Sequence, residues 1–148
     1  MRKYLFLAIA LVACVMCFTS CDKNDPQHPI KGCMFYCDND SQSPYKNPAR
    51  HYFYFGNKDD FEYGWKVYSD EARTQLLGTD YESGTYNLYD EYIDLNYTAG
   101  HYEQRNQTFQ PHSERVYYQY WEERETIVFT FNKGTDNEYQ VSYYKVHE

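Results

Sequence analysis

The sequence predicts an all-β fold: an antiparallel up-and-down barrel, or a strongly curved meander, of about eight to nine strands. Three observations carry this. Apolar and polar residues alternate with period 2 in five separate segments, with no competing amphipathic helix. The breaks between segments are short and polar, which makes neighbouring strands antiparallel. The composition is rich in residues that suit a half-buried pleated surface, with 19 tyrosines, 9 phenylalanines and 2 tryptophans.

The chain opens on a different element. Arg2 and Lys3 precede an uncharged run, YLFLAIALVACVMCF, over residues 4–18. As a helix it would rise about 22 Å, short of the ~30 Å hydrocarbon core of a bilayer. A basic start, a short apolar run and small residues before a cut form a signal-peptide pattern. Residues 1–20 are therefore expected to be removed. Thr19-Ser20-Cys21 resembles the lipobox of bacterial lipoproteins, with Phe18 where that family usually has Leu. A second match, LVAC ending at Cys14, would leave a very short apolar region and a hydrophobic mature end. The resemblance implies a diacylated Cys21. Two or three acyl chains make a stable membrane anchor where one does not.

Residues 21–30 then read as the acylated cysteine and a polar tether. DKNDPQHP, residues 22–29, holds two prolines and several turn formers. CDKND is similar to the start of many lipoproteins of Bacteroidota, whose acidic residues after the cysteine direct export. That similarity implies an outer-membrane protein exposed at the cell surface.

Residues 31–148 form one expected domain. Residues 21–148 carry 12 basic and 22 acidic residues, a formal charge of −10. Such a surface repels nucleic acid and anionic head groups and leaves cations, basic proteins and neutral sugars as partners. Within KGCMFYCDND, Cys33 and Cys37 have two readings. In a strand they stand about 13 Å apart, too far for a disulfide. In a turn or helical coil they could pair.

The period-2 segments follow. In RHYFYFG, His51, Phe53 and Phe55 share one face and Tyr52 and Tyr54 the other. In YGWKVYS, Trp65 and Val67 oppose Lys66 and Tyr68. In YIDLNYT, Ile93, Leu95 and Tyr97 alternate with Asp94 and Asn96. In TIVFTFN, Ile127, Phe129 and Phe131 alternate with Val128, Thr130 and Asn132. In EYQVSYYKV, Tyr139, Val141 and Tyr143 alternate with Gln140, Ser142 and Tyr144. The hairpin links are GNKDD, YDE, EER and NKGTDN. Residues 98–114, TAGHYEQRNQTFQPHSE, lack periodicity and read as a long binding or lid loop. Residues 38–48 form a second polar loop.

FYFGNKDDFEYGW, SGTYNLYDEYIDLNYT and ETIVFTF followed by YQVSYYK resemble the small lipocalin-like lipoproteins of Bacteroidota, across residues 50–145. The early Gly-x-Trp of true lipocalins is absent. The resemblance implies a barrel and ligand binding, and assigns no residue.

No catalytic constellation, cofactor loop or metal motif stands out. Histidines occur at 28, 51, 101, 112 and 147. His101 and His112 each precede a glutamate by two residues, a spacing that needs a third converging ligand to hold metal. DNDSQ, from Asp38, starts like a calcium loop but has Ser43 and Ala49 where that loop needs glycine and glutamate. No Gly-x-Ser-x-Gly or phosphate-binding glycine loop is present.

The aromatic residues are the functional lead. VYYQYWE puts Tyr117, Gln119 and Trp121 on one face and Val116, Tyr118 and Tyr120 on the other. One face points inward, so the other is free to stack on a ligand. The expectation is non-catalytic binding of a small amphipathic or sugar-like ligand. Candidate contacts are Tyr117, Trp121, Tyr52, Tyr54, His101 and Tyr102, with the barrel mouth and the 98–114 loop as the site. The alternatives are an acidic interaction or inhibitor module for a basic protein, and a structural accessory subunit of an envelope complex.

Overall fold

The computed structural model describes residues 28–38 and 42–147. Cys21 and the signal and tether segments before His28 lie outside the described residues. Eight strands follow one another around a closed barrel: β1 (Cys33–Cys37), β2 (Ala49–Phe55), β3 (Asp60–Tyr68), β4 (Leu76–Leu88), β5 (Tyr92–Tyr102), β6 (His112–Trp121), β7 (Thr126–Phe131) and β8 (Tyr139–Val146). Each strand pairs antiparallel with the next, and β1 closes on β8 through Met34↔Val146 and Tyr36↔Tyr144. The only helical turn among the described residues is a 3-10 turn, Glu122–Arg124. The fold is thus the expected eight-stranded up-and-down barrel, lipocalin-like in architecture. Closure leaves no long exposed edge for a tyrosine-rich strand to recruit a neighbour.

The alternating faces explain the core. His51, Phe53 and Phe55 of β2, Ile93, Leu95 and Tyr97 of β5, and Ile127, Phe129 and Phe131 of β7 all point inward and are buried. Phe53 sits centrally, with its ring 4.5 Å from Tyr63, 4.8 Å from Phe129 and 5.6 Å from Tyr143. Each buried side chain of this size contributes about 1.5–3 kcal/mol through lost water contact. Offset and edge-to-face pairs add roughly 0.5–1.5 kcal/mol each.

One expectation changes. The segment 98–114 is not one long loop. β5 runs on to Tyr102 and β6 begins at His112, so the connection is residues 103–111. A bulge hides the strand. Ser83 pairs with Ala99 and Gly84 with Tyr97, leaving Thr98 without a partner in the β4–β5 register. The parity of β5 flips there, and period 2 is lost to the eye. Gly84 permits the bulge, because a Cβ at this position would run into the Asn96 carbonyl oxygen.

The cysteine question resolves to the strand reading. Cys33 and Cys37 lie at the two ends of β1, both buried and not joined to each other by a disulfide. The outward tyrosines also differ from one another. Tyr144 is 41% exposed, but Tyr52 is only 1% exposed although it points out of the barrel. The Tyr36 ring packs edge-on against it, the Lys66 ammonium lies over it, and its hydroxyl donates to Glu62 at 2.6 Å.

Candidate ligand-binding groove

The residues of VYYQYWE separate as their parity demands. Val116 and Tyr118 of β6 are buried and Tyr120 packs against the core, while Tyr117, Gln119 and Trp121 face out. Register lines them up with outward residues of β7 and β8. Tyr117 pairs with Thr130, which pairs with Gln140, and Gln119 pairs with Val128. A groove of about 960 Å³ lies over this outer face. With six residues in β7, the wall is only about 20 Å high here. The groove consequently reaches both rims. Lys133 and Glu138 of the β7–β8 turn close one end, and Asp90 and Glu91 of the β4–β5 turn, with His28 and Pro29, close the other.

Trp121 is 45% exposed and presents a large flat ring. The Arg124 guanidinium lies 5.0 Å from its centre, and the Lys133 ammonium lies 4.0 Å over Tyr117. Tyr117 continues an outer aromatic stripe through Tyr92, at 5.8 Å, to Tyr89, which stacks on Tyr92 at 4.5 Å. Arg115 covers Tyr92 and grips Asp94 with two hydrogen bonds, 2.7 and 2.9 Å. Gln140 donates to Thr130 at 3.1 Å, fixing one amide on the groove floor. Burial, helped by the nearby Lys31 charge, lowers the His28 pKa and favours the neutral ring. Its Nε2 lies 3.2 Å from the Tyr118 hydroxyl, which also donates to the Tyr89 carbonyl.

The barrel mouth is built differently. Asp80 is buried and ties the 103–111 loop down. It accepts the Glu103 and Gln104 N–H groups at 2.6 and 2.7 Å, the Tyr45 hydroxyl at 2.7 Å and the Arg105 Nε–H at 3.0 Å. Burial alone would raise this carboxyl, but these donors outweigh it and hold it below the usual carboxylate range. Further in, Tyr97 stacks on His112 at 4.2 Å, and Tyr102 donates a short hydrogen bond to Glu82. Burial pushes Glu114 above its ordinary range, against the His112 charge and the Tyr97 hydroxyl. Phe109 packs on the core from the loop. The loop is therefore strapped to the wall, and aromatic rings pack the barrel beneath it.

The six candidate contacts fall in three places. Tyr117 and Trp121 share the groove. Tyr52 and Tyr54 lie on the outer face of β2, where Tyr52 is covered. His101 and Tyr102 are neighbours on opposite faces: His101 lies beside Tyr81 on the outside and its Nε2 is 3.2 Å from Glu103, while Tyr102 reaches Glu82 at the mouth. Sequence reasoning did not join Val128, Thr130, Gln140, Lys133 and Glu122 to Tyr117 and Trp121. Their parity was readable, but the register that makes them one surface was not.

No group of three or more His, Cys, Asp or Glu among the described residues is placed to hold a metal ion. Asp38, the start of the calcium-like stretch, is instead engaged by Arg50 at 2.5 Å, Tyr144 at 2.7 Å and Arg73 at 3.2 Å. Comparison with protein families, with curated proteins and with solved structures finds no match to this chain.

Proposed function

We propose that this protein binds a sugar-like ligand, without catalysis, in the outer groove of β6, β7 and β8. One observation carries the reading: a groove of about 960 Å³ that combines the exposed Trp121 ring and the half-buried Tyr117 ring with amide, hydroxyl and carboxylate side chains. Flat rings bury a sugar's apolar face at low entropy cost, and the polar groups set its orientation. The outer groove is favoured over the barrel mouth because the mouth loop is strapped to Asp80 and rings pack the space beneath it.

The lipobox-like Thr19-Ser20-Cys21 supports a lipid-anchored protein of the outer membrane, displayed at the cell surface. His28 and Pro29 line the groove, so the chain from the anchor would arrive beside it. The acyl chains would hold the binding face near the membrane. No helix among the described residues is long and apolar enough to cross a bilayer.

Two variants test the site. Trp121→Ala should abolish retention on a glycan array while leaving the thermal melt unchanged. Shortening residues 103–111 should leave retention intact. The opposite pattern would move the site to the mouth.

A further inference from the structure

Residues 103–111 close the upper end of the barrel in two unlike halves. The first half is pinned. The Glu103 and Gln104 N–H groups and the Arg105 guanidinium bond to Asp80, and the Glu103 carboxylate takes the Thr79 N–H at 2.8 Å. The second half, residues 106–111, is held to the barrel by Phe109 and Gln110. Phe109 packs on the core against Gly100, where a Cβ would collide with its ring. The Gln110 carbonyl lies 3.0 Å from His112 Nδ1.

His112 is the centre of this latch. Its ring stacks on Tyr97, and its Nε2 faces the Glu82 carboxylate at 3.8 Å. A carbonyl only accepts, so Nδ1 carries a proton to bond Gln110. A carboxylate also only accepts, so Nε2 matches Glu82 when it too is protonated. Set between two acceptors, the ring fits as the imidazolium. A neutral ring turns a lone pair toward a negative charge. His112 is 47% exposed, so protons reach it from solvent.

A second inward carboxyl shares the space. Pairing with Leu95 turns Glu114 into the barrel, where it accepts from the Tyr97 hydroxyl and lies close enough to Glu82 and His112 to feel both charges. Burial favours its protonated form. The other titratable groups around the mouth are engaged. Tyr102 donates to Glu82, Tyr63 lies 6.3 Å from the Tyr97 ring, and Tyr45 donates to Asp80. Arg105 lies over Tyr102 but is bound to Asp80, and Glu103 meets His101 on the outer side.

We propose that residues 106–111 form a pH-operated lid, latched by protonated His112 and Glu114 and released as pH rises. Loss of the His112 proton leaves a lone pair against Glu82. Loss of the Glu114 proton puts a second negative charge into a half-buried site. Water relieves both, and it enters once the second half swings out about the pinned residues 103–105. The closed state binds more protons than the open one, so each proton released raises the opening constant by up to about tenfold per pH unit. Opening uncovers Glu82, Glu114 and the Tyr97–His112 stack, a polar and aromatic recess separate from the outer groove and independent of what binds there.

The test is hydrogen exchange of the full chain, read by mass spectrometry between about pH 5 and pH 8 and corrected for the intrinsic exchange rate. Opening of residues 106–110 should rise at least about tenfold across this range, while β7 stays level. Glu82→Gln offers an amide N–H to the neutral His112 ring and should remove most of the rise. Glu114→Gln keeps an acceptor for Tyr97 and should lower the slope by one proton. If one variant does not fold, the other still decides. Exchange of the lid that does not change with pH would overturn the proposal. So would a rise shared by β7, which is loosening of the whole barrel, or a rise that both variants leave unchanged, which puts the titrating group elsewhere.

Discussion

Asp80 shows what one residue does for this barrel. It is buried, ionised and surrounded by four donors, two of them backbone N–H groups of the mouth loop. Asp80→Ala leaves those donors unpaired and should cost about 3 kcal/mol in a urea melt. Amide exchange should rise first at residues 103–105. The buried Asp80 and the half-buried Glu114 give opposite pH signatures. The folded pKa of Asp80 is lowered, so its contribution is present above the ordinary carboxylate pKa and lost as pH falls through the folded value. That of Glu114 is raised, so its contribution is fully present below 4.5 and lost as pH rises through the folded value. Glu114→Gln removes that loss. The variant should therefore gain thermal stability over the parent as pH rises, measured by melts between about pH 4 and pH 8.

At the scale of elements, the β4–β5 hairpin is the one whose details matter most. Its bulge turns both Tyr97 and Tyr102 inward although they are five positions apart. Gly84→Val would drive a branched side chain into the Asn96 carbonyl, at a cost of about 2 kcal/mol or more. The check is a shifted urea midpoint together with loss of the Tyr102–Glu82 contact. In RHYFYFG the inward residues follow from alternation, because Phe53 and Phe55 can only be stabilised away from water. The 98–114 stretch was opaque for a physical reason. A single unpaired residue reverses strand parity, and alternation cannot be followed across it. Of the six candidate contacts, alternation put Trp121 and Tyr117 on one face of a strand, and the structure showed that this face points outward. Alternation could not tell that Tyr52, equally outward, would be covered by Tyr36 and Lys66.

For the whole molecule, closure sets both stability and access. β1 is a strand held between β2 and β8, which keeps its two thiols at opposite ends. Oxidising and reducing buffers should give the same melting temperature and the same intact mass for this pair. A two-proton mass loss without intermolecular dimer would contradict the strand. Anchoring belongs to this scale as well. Cys21→Ala should release the protein from the membrane fraction, and an acylated Cys21→Ala variant would rule out Cys21 as the lipid site.

The sequence by itself determined the class of fold, the alternating faces of five strands and the acidic charge. Each is a local property: period 2 reports burial on one side of a pleat, and charge is a sum over residues. The tertiary structure decided which outward faces meet. Trp121, Thr130 and Gln140 are far apart in the chain and become one groove through the register of β6, β7 and β8. Register depends on how eight strands stagger to close a cylinder, and no single strand carries that information.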